Sequence, residues 1–325
     1  MFDKDKLIKP GLGLGLRRGL TDETLEFYKS PDNTGLIEWL EIVPENYIKL
    51  GGVKAKKFQT VLDSKIKLIP HGVNLSIGTA PEKPGQPSYD PYLIDACKEL
   101  FQEIDAPWFS DHLSCTRVGD IYLQNLLPIP FTQETVNVVS DNVKFLQDTM
   151  QIPFLIENPS FYSTIIEPEM TEAQFINSIL EQADCGLLLD VNNIYVNATN
   201  HNCYSPVEFL EQLKLDRVVQ VHIAGHLQGY RSHTGHSIEI LDTHGQAISQ
   251  EVYTILEELL ARTTVNAILL ERDSNFPALR ELVEELKTIK NVIARSNATR
   301  QTRKEKYGTL SDTTRNPQVY AGTGN

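Results

Sequence analysis

The sequence predicts an α/β fold, a single (β/α)8 TIM barrel followed by a polar C-terminal tail, and three observations carry that expectation. Eight short runs rich in Leu, Ile and Val recur along the chain, helix-spaced segments separate most of them, and ionisable residues collect at the ends of the runs. A chain of 325 residues, 41% of them apolar, has the material for one such barrel, which commonly uses about 250 residues.

The eight runs, in order, are Gly11–Arg17, Trp39–Glu45, Lys67–Leu75, Trp108–Ser114, Pro153–Pro159, Cys185–Asn193, Val218–His226 and Ala267–Asp273. Their starts lie 28 to 49 residues apart, enough for a helix and ordinary loops between parallel strands. The first run, GLGLGLR, lacks the GxGxxG spacing and the following Lys-Ser or Lys-Thr of a phosphate loop, so it reads as a strand in close contact with its neighbours. Between the runs, PYLIDACKELFQEI, TVNVVSDNVKFLQDTM, EAQFINSILEQA, SPVEFLEQLKL, SQEVYTILEELLA and FPALRELVEELKTI carry apolar residues at helical spacing and would form the outer ring. Ser76–Tyr92, with four prolines, and Leu227–Gln246 read as long loops after strands, where barrel enzymes build their sites. The barrel is expected to occupy residues 1–293. Residues 294–325 lose apolar periodicity and read as a basic, polar tail.

Charge and cysteine usage narrow the function classes. The formal net charge is −13, yet residues 294–325 hold six Lys or Arg against Glu305 and Asp312, which leaves the barrel more acidic than the total suggests. Such a body repels a nucleic-acid backbone. The opening MFDKDKLIKP mixes both charge signs without an apolar run, so no secretory signal or membrane span is expected, and a cytoplasmic location follows. Cys97, Cys115, Cys185 and Cys203 form no CxxC pair and are expected to be thiols.

The polar strand ends hold the chemistry. They are His71, Asp111 with His112, Glu157 with Asn158, Asp190 with Asn192 and Asn193, His222 with His226, and Glu271 with Arg272 and Asp273, contributed by every strand from the third to the eighth. Asp242 and His244, two residues apart in LDTHG, add a further pair. Any one of these is readily explained as a hydrogen-bonded cap or core residue. Together, imidazoles and carboxylates converging on one barrel mouth would be badly frustrated without cations, and such donors suit Zn, Fe or Mn.

The motifs HGVNLSIG, SDHLS, IENPS, LLLDVNNIYVN, VHIAGH, DTHG and LLERDSNFP occur in that order, and with them the chain from Gly11 to Ile289 resembles the multinuclear non-haem iron-dependent oxidative enzymes, long known only as an uncharacterised family. The resemblance implies a xylose-isomerase-like barrel that uses two or three iron ions, Fe(II) and Fe(III), with O2 as co-substrate, to oxidise residues of ribosomally made precursor peptides. Cysteine is the usual target, and heterocycle with thioamide, or excision of a carbon, are the usual outcomes. It also implies a small partner protein that presents the peptide, and a role in peptide natural product biosynthesis. Carried over residue by residue, one iron falls to His71, His112 and a bridging Glu157, a second to Asp190, His222 and Glu271, and a third to Asn193, Asp242 and His244. Asn193 stands where related three-metal barrels carry a histidine. Glu157, Asp190, His222 and Glu271 are the expected catalytic core, with Asn46, Asn158, Asn192, His226, Arg272 and Asp273 as peptide-gripping or ligand-orienting residues and Tyr47 as a wall of the same cavity.

Three other readings predict different behaviour. A sugar isomerase on the same barrel would use two Mg2+ or Mn2+ ions and consume no O2. A zinc phosphodiesterase or endonuclease would bind DNA in a salt-dependent way, which the acidic body disfavours. A metal-storing or peptide-binding module would bind without turnover.

Overall fold

The computed structural model describes residues 1–81, 88–119, 121–163, 167–229 and 240–307. Eight parallel strands, β1 (Gly11–Gly15), β2 (Trp39–Ile42), β3 (Lys67–Gly72), β4 (Phe109–His112), β7 (Phe154–Glu157), β8 (Gly186–Asp190), β9 (Val218–Ile223) and β12 (Ala267–Leu270), close into a barrel in chain order, with β1 returning to pair β12. Two hairpins rise from the C-terminal ends: β5 (Cys115–Val118) with β6 (Ile121–Leu127), and β10 (His226–Gln228) with β11 (Ile240–Asp242). The outer helices are α1 (Thr21–Lys29), α2 (Gly52–Asp63), α3 (Pro91–Glu103), α4 (Gln133–Met150), α5 (Glu172–Ala183), α6 (Val191–His201), α7 (Pro206–Gln212), α8 (Gln250–Arg262) and α9 (Leu279–Tyr307).

Caps written in the sequence start several of these helices. Thr171 and Gln174 close a capping box on α5, Ser205 and Glu208 do so on α7, and Ser249 accepts from Val252 N on α8. The buried residues of α4, among them Val136, Val139, Val143, Leu146 and Met150, follow the three-and-four spacing that presents one stripe to the barrel.

The floor of the barrel is apolar. Trp39, Ile69, Trp108, Leu155, Leu188, Val219, Ala267 and Leu269 form one buried cluster, and Phe2 and Leu7 of the N-terminal segment pack against it from below. Lys4 anchors that segment, its Nζ donating to Leu215 O, Thr263 Oγ1 and Thr264 O. Strand side chains alternate, so the residue two places on shares the inward face. Above Trp39, Ile69, Leu155, Leu188 and Leu269 therefore stand Glu41, His71, Glu157, Asp190 and Glu271.

The glycines of β1 are needed for close approach, as the sequence suggested: a Cβ on Gly13 would lie 2.3 Å from the Trp39 ring. Two expected boundaries move. The run Cys185–Asn193 ends as a strand at Asp190, whose Oδ1 accepts from Asn193 N at 2.7 Å and caps α6. The boundary expected at Ala294 falls inside α9, where Val292 and Ser296 are buried and Arg300 Nη1 donates to Leu260 O and Thr263 O. The apolar stripe thins there, but the helix continues on its contacts with α8. Residues 308–325 of the expected tail, 82–87 of the third-strand loop and 230–239 of the other long loop lie outside the described residues.

Candidate metal centre

Glu157, at the end of β7 and 1% exposed, is the hub of the cluster. Its Oε2 lies 3.1 Å from Nε2 of both His71 and His112, and its Oε1 lies 3.2 Å from His222 Nδ1. His222 Nδ1 also approaches Glu271 Oε2 at 2.9 Å. Glu271 in turn faces His244 Nδ1 at 3.3 Å, and His244 Nε2 lies 2.7 Å from Asp242 Oδ1 and 3.9 Å from Asp190 Oδ2. The His71 ring sits 4.6 Å from that of His112 and 5.1 Å from that of His222, centroid to centroid. The structure thus brings eight of the nine expected ligands into one chain of contacts, and the ninth, Asn193, is tied to it through the Asp190 cap.

These atoms are close without being bonded. His112 Nδ1, Glu157 Oε2, Asp190 Oδ2, Asn193 Oδ1, His222 Nδ1, His244 Nε2 and Glu271 Oε2 are buried and have no hydrogen-bond partner among the described residues. Native interiors rarely leave buried polar atoms unpaired, so a concentration of seven on one site means that their lone pairs answer to something other than one another. Imidazole nitrogens and carboxylate oxygens at this spacing fit metal ions. Two groups have ligand atoms all within 4.8 Å of one another: His71, Glu157 and His222, and Glu157, Asp190, His222 and Glu271. A third, His244, Glu271 and Asp273, draws in Asp273, which the sequence assigned to substrate rather than metal.

The electrostatics point the same way. Burial works against ionised Glu157, yet the His112, His71 and His222 imidazoles hold its carboxyl well below the usual range. Burial likewise disfavours the charged form of His112, but Glu157 and Asp111 push it up to about 9. Asp190 is the exception: burial drives its carboxyl well above the usual range, with His244 opposing and the charges of Asp242, Glu157 and Glu271 adding to the rise. Carboxylates this close cannot all ionise on imidazole charge alone, and a multivalent cation would relieve the competition.

The remaining expected residues are brought to the mouth unevenly. Asn158 exchanges two hydrogen bonds with the Asp190 backbone, accepting from its N at 2.9 Å and donating to its O at 3.0 Å, and so fixes that residue. Asn192 Oδ1 meets His226 Nδ1 at 2.8 Å, and its Nδ2 donates to Asp242 Oδ1 at 2.8 Å. Asp273, half-exposed, joins Arg17 to His244, with Oδ2 3.0 Å from His244 Nδ1. Arg272 turns away and pairs with Glu285 on α9 at 2.7 Å. Asn46, exposed, contacts Arg18 and is not joined to the cluster by any described hydrogen bond, and Tyr47 packs on Phe58.

Sequence reasoning missed four participants. Glu41 Oε2 lies 2.8 Å from His222 Nε2. Arg17 Nε donates to Arg272 O and its Nη2 lies 3.8 Å from Glu271 Oε1. Ser160 Oγ donates to Asp242 Oδ2 at 3.0 Å, while Tyr162 OH accepts from Asp242 N at 2.7 Å. For Glu41 a signal existed, a lone acid inside the apolar run WLEIV; nothing local marks Ser160 or Tyr162.

Comparison with known proteins matches residues 11–294 to the model of the family described as RiPP precursor modification enzyme MbnB/TglH/ChrH. A UPF0276 protein of Neisseria meningitidis serogroup C (strain 053442) is 39% identical over 282 residues, covering 85% of this chain and 93% of that protein. One from Haemophilus influenzae is 37% identical over 299 residues, covering 86% and 93%. In structure the chain is similar to a xylose isomerase-like TIM barrel protein from Mycobacterium smegmatis in complex with magnesium, with a TM-score of 0.53 at 12% identity over 91% of this chain and 99% of that one. It is also similar to 3-keto-D-glucoside 4-epimerase from E. coli, with a TM-score of 0.52 at 13% identity over 87% and 99%. Identities this low speak for the fold alone. Among the described residues no helix is long and apolar enough to cross a membrane.

Proposed function

Because this chain belongs to the MbnB/TglH/ChrH family of RiPP precursor modification enzymes, we propose that it is an iron- and O2-dependent oxidase of a ribosomally synthesised precursor peptide, acting at cysteine. The observation that carries this reading is the group of buried, unpaired nitrogen and oxygen atoms of His112, Glu157, Asp190, Asn193, His222, His244 and Glu271 gathered at one mouth. His71, His112 and Glu157 would hold one iron, Asp190, His222 and Glu271 a second, and Asn193, Asp242 and His244 a third, with Asp273 beside His244. Iron held there supplies single-electron reduction of O2 and Lewis-acid binding of a thiolate, neither of which a side chain can provide.

The chain's own residues set the geometry. Glu157 presents different oxygens to different histidines, so it would contribute to both iron positions. Asn158 holds the Asp190 backbone, and Ser160, Tyr162 and Asn192 hold Asp242 from three sides. Asp273, at 46% side-chain exposure, and Arg17, at 13%, stand at the rim, where a peptide would pass. A small partner protein that presents the peptide belongs to the same proposal.

The experiment is co-expression with any short Cys-containing peptide and any small protein encoded beside this chain, followed by mass spectrometry of the peptide. A mass change that needs both iron and O2 is expected. A peptide unchanged under those conditions, or changed equally without iron, removes the reading.

A further inference from the structure

Glu41 is the charged residue of β2, and its side chain is 1% exposed. Two donors converge on its Oε2: Gln220 Nε2 at 2.7 Å and His222 Nε2 at 2.8 Å. Gln220 is itself fixed, because its Oε1 accepts from Trp108 Nε1 at 2.9 Å. An indole N–H can only donate, so the Gln220 amide turns its oxygen to Trp108 and its NH2 to Glu41 Oε2, with His222 Nε2 also 3.0 Å from that NH2. A directed series of hydrogen bonds therefore runs from the apolar floor, through Gln220 and Glu41, to the lower edge of the His222 ring.

The upper edge of that ring faces the cluster. His222 Nδ1 lies 2.9 Å from Glu271 Oε2 and 3.2 Å from Glu157 Oε1 and has no hydrogen-bond partner among the described residues. A histidine whose far nitrogen donates its N–H to a carboxylate keeps one tautomer and one ring orientation, and its near nitrogen is left with a lone pair to offer. Burying a carboxylate this deep is costly unless its bonds are put to use.

We propose that Glu41 is the positioning residue of the second metal position, accepting a hydrogen bond from the Nε2–H of His222 and directing the Nδ1 lone pair toward the space between Glu157 and Glu271. The proposal rests on the metal-binding reading above and adds to it a residue from a strand outside the expected ligand set. Glu41 acts through His222 and touches neither peptide nor reacting atoms.

The test is anaerobic Fe(II) binding to the full chain, by competition with a chromogenic chelator, for the wild type, Glu41→Gln, Glu41→Ala and His222→Ala, with thermal melting of each iron-free form. Expected for both Glu41 variants is a second equivalent held roughly 10–100-fold more weakly, with the first equivalent and the iron-free melting temperature unchanged. His222→Ala should lose the same equivalent. Wild-type binding of both equivalents by both Glu41 variants overturns the proposal, as does parallel loss of both equivalents together with a lowered melting temperature, which marks a purely structural role. If instead His222→Ala binds like wild type, or the wild type binds no iron, the metal reading itself falls and takes the Glu41 proposal with it.

Discussion

Glu157 meets His222 through Oε1, at 3.2 Å from Nδ1, and meets His71 and His112 through Oε2. One carboxylate thus divides the histidines into two sets. Glu157→Ala would leave the three imidazoles without the anion between them, and the expected result is loss of bound iron and of peptide oxidation together while the fold survives. Metal analysis and peptide mass spectrometry check this; a variant with full iron content and full turnover would remove Glu157 from the bridging role.

The third set differs in kind. Asn193 already gives its Nδ2 to Asn158 O at 3.1 Å, so only Oδ1 is left to bind a cation, and an amide oxygen is a weaker ligand than imidazole for a first-row metal. Asn193→Ala and His244→Ala are each expected to lower iron stoichiometry by no more than one equivalent and to leave the His71, His112, Glu157 group occupied. Loss of all iron from either variant would show that the sets are not separable.

Most of the barrel was legible because its strands obey a simple period. Ile69 with His71, and Leu155 with Glu157, stand two residues apart, an apolar floor residue followed by a residue of the cluster, and that pattern survives in the linear sequence. The ends of elements were less legible. Asp190 to Asn193 reads as strand, yet Asp190 is a better helix cap than a strand residue, and its carboxylate both starts α6 and enters the cluster. Arg272 looked like a mouth residue by its neighbours in sequence, but alternation sends it outward to Glu285, opposite to Glu271. Glu41, Ser160 and Tyr162 act through partners 181, 82 and 80 residues away, a relationship that no local spacing records.

The N-terminal segment should matter for stability out of proportion to its length. Lys4 is 7% exposed and burial lowers its pKa, while its ammonium meets three acceptors. Lys4→Met keeps the apolar stem and removes the ammonium's hydrogen bonds to Leu215 O, Thr263 Oγ1 and Thr264 O, so a loss of about 1–3 kcal/mol in unfolding free energy is expected. Urea denaturation measures it. An unchanged midpoint would mean that Phe2 and Leu7 close the barrel floor unaided.

A separate pH dependence should come from Glu172, at the start of α5 and away from the cluster of histidines and carboxylates. Burial raises its carboxyl from 4.5 to about 7, although Tyr204 OH, donating to Oε2 at 2.9 Å, and Asn197 favour the charged form. In the unfolded chain Glu172 ionises near its ordinary value, whereas in the fold it holds its proton longer. The stability this group contributes is therefore fully present below about pH 4.5, declines as pH rises toward 7, and is gone above that, a change of roughly 3 kcal/mol for a shift of this size. Glu172→Gln keeps an oxygen for Tyr204 and cannot ionise, so its unfolding free energy relative to wild type should climb through that interval and level off near pH 8. Chemical denaturation of both proteins at pH 5, 6, 7 and 8 reads the difference directly, and a difference that stays constant from pH 5 to 8 would show that Glu172 is ionised in the fold throughout.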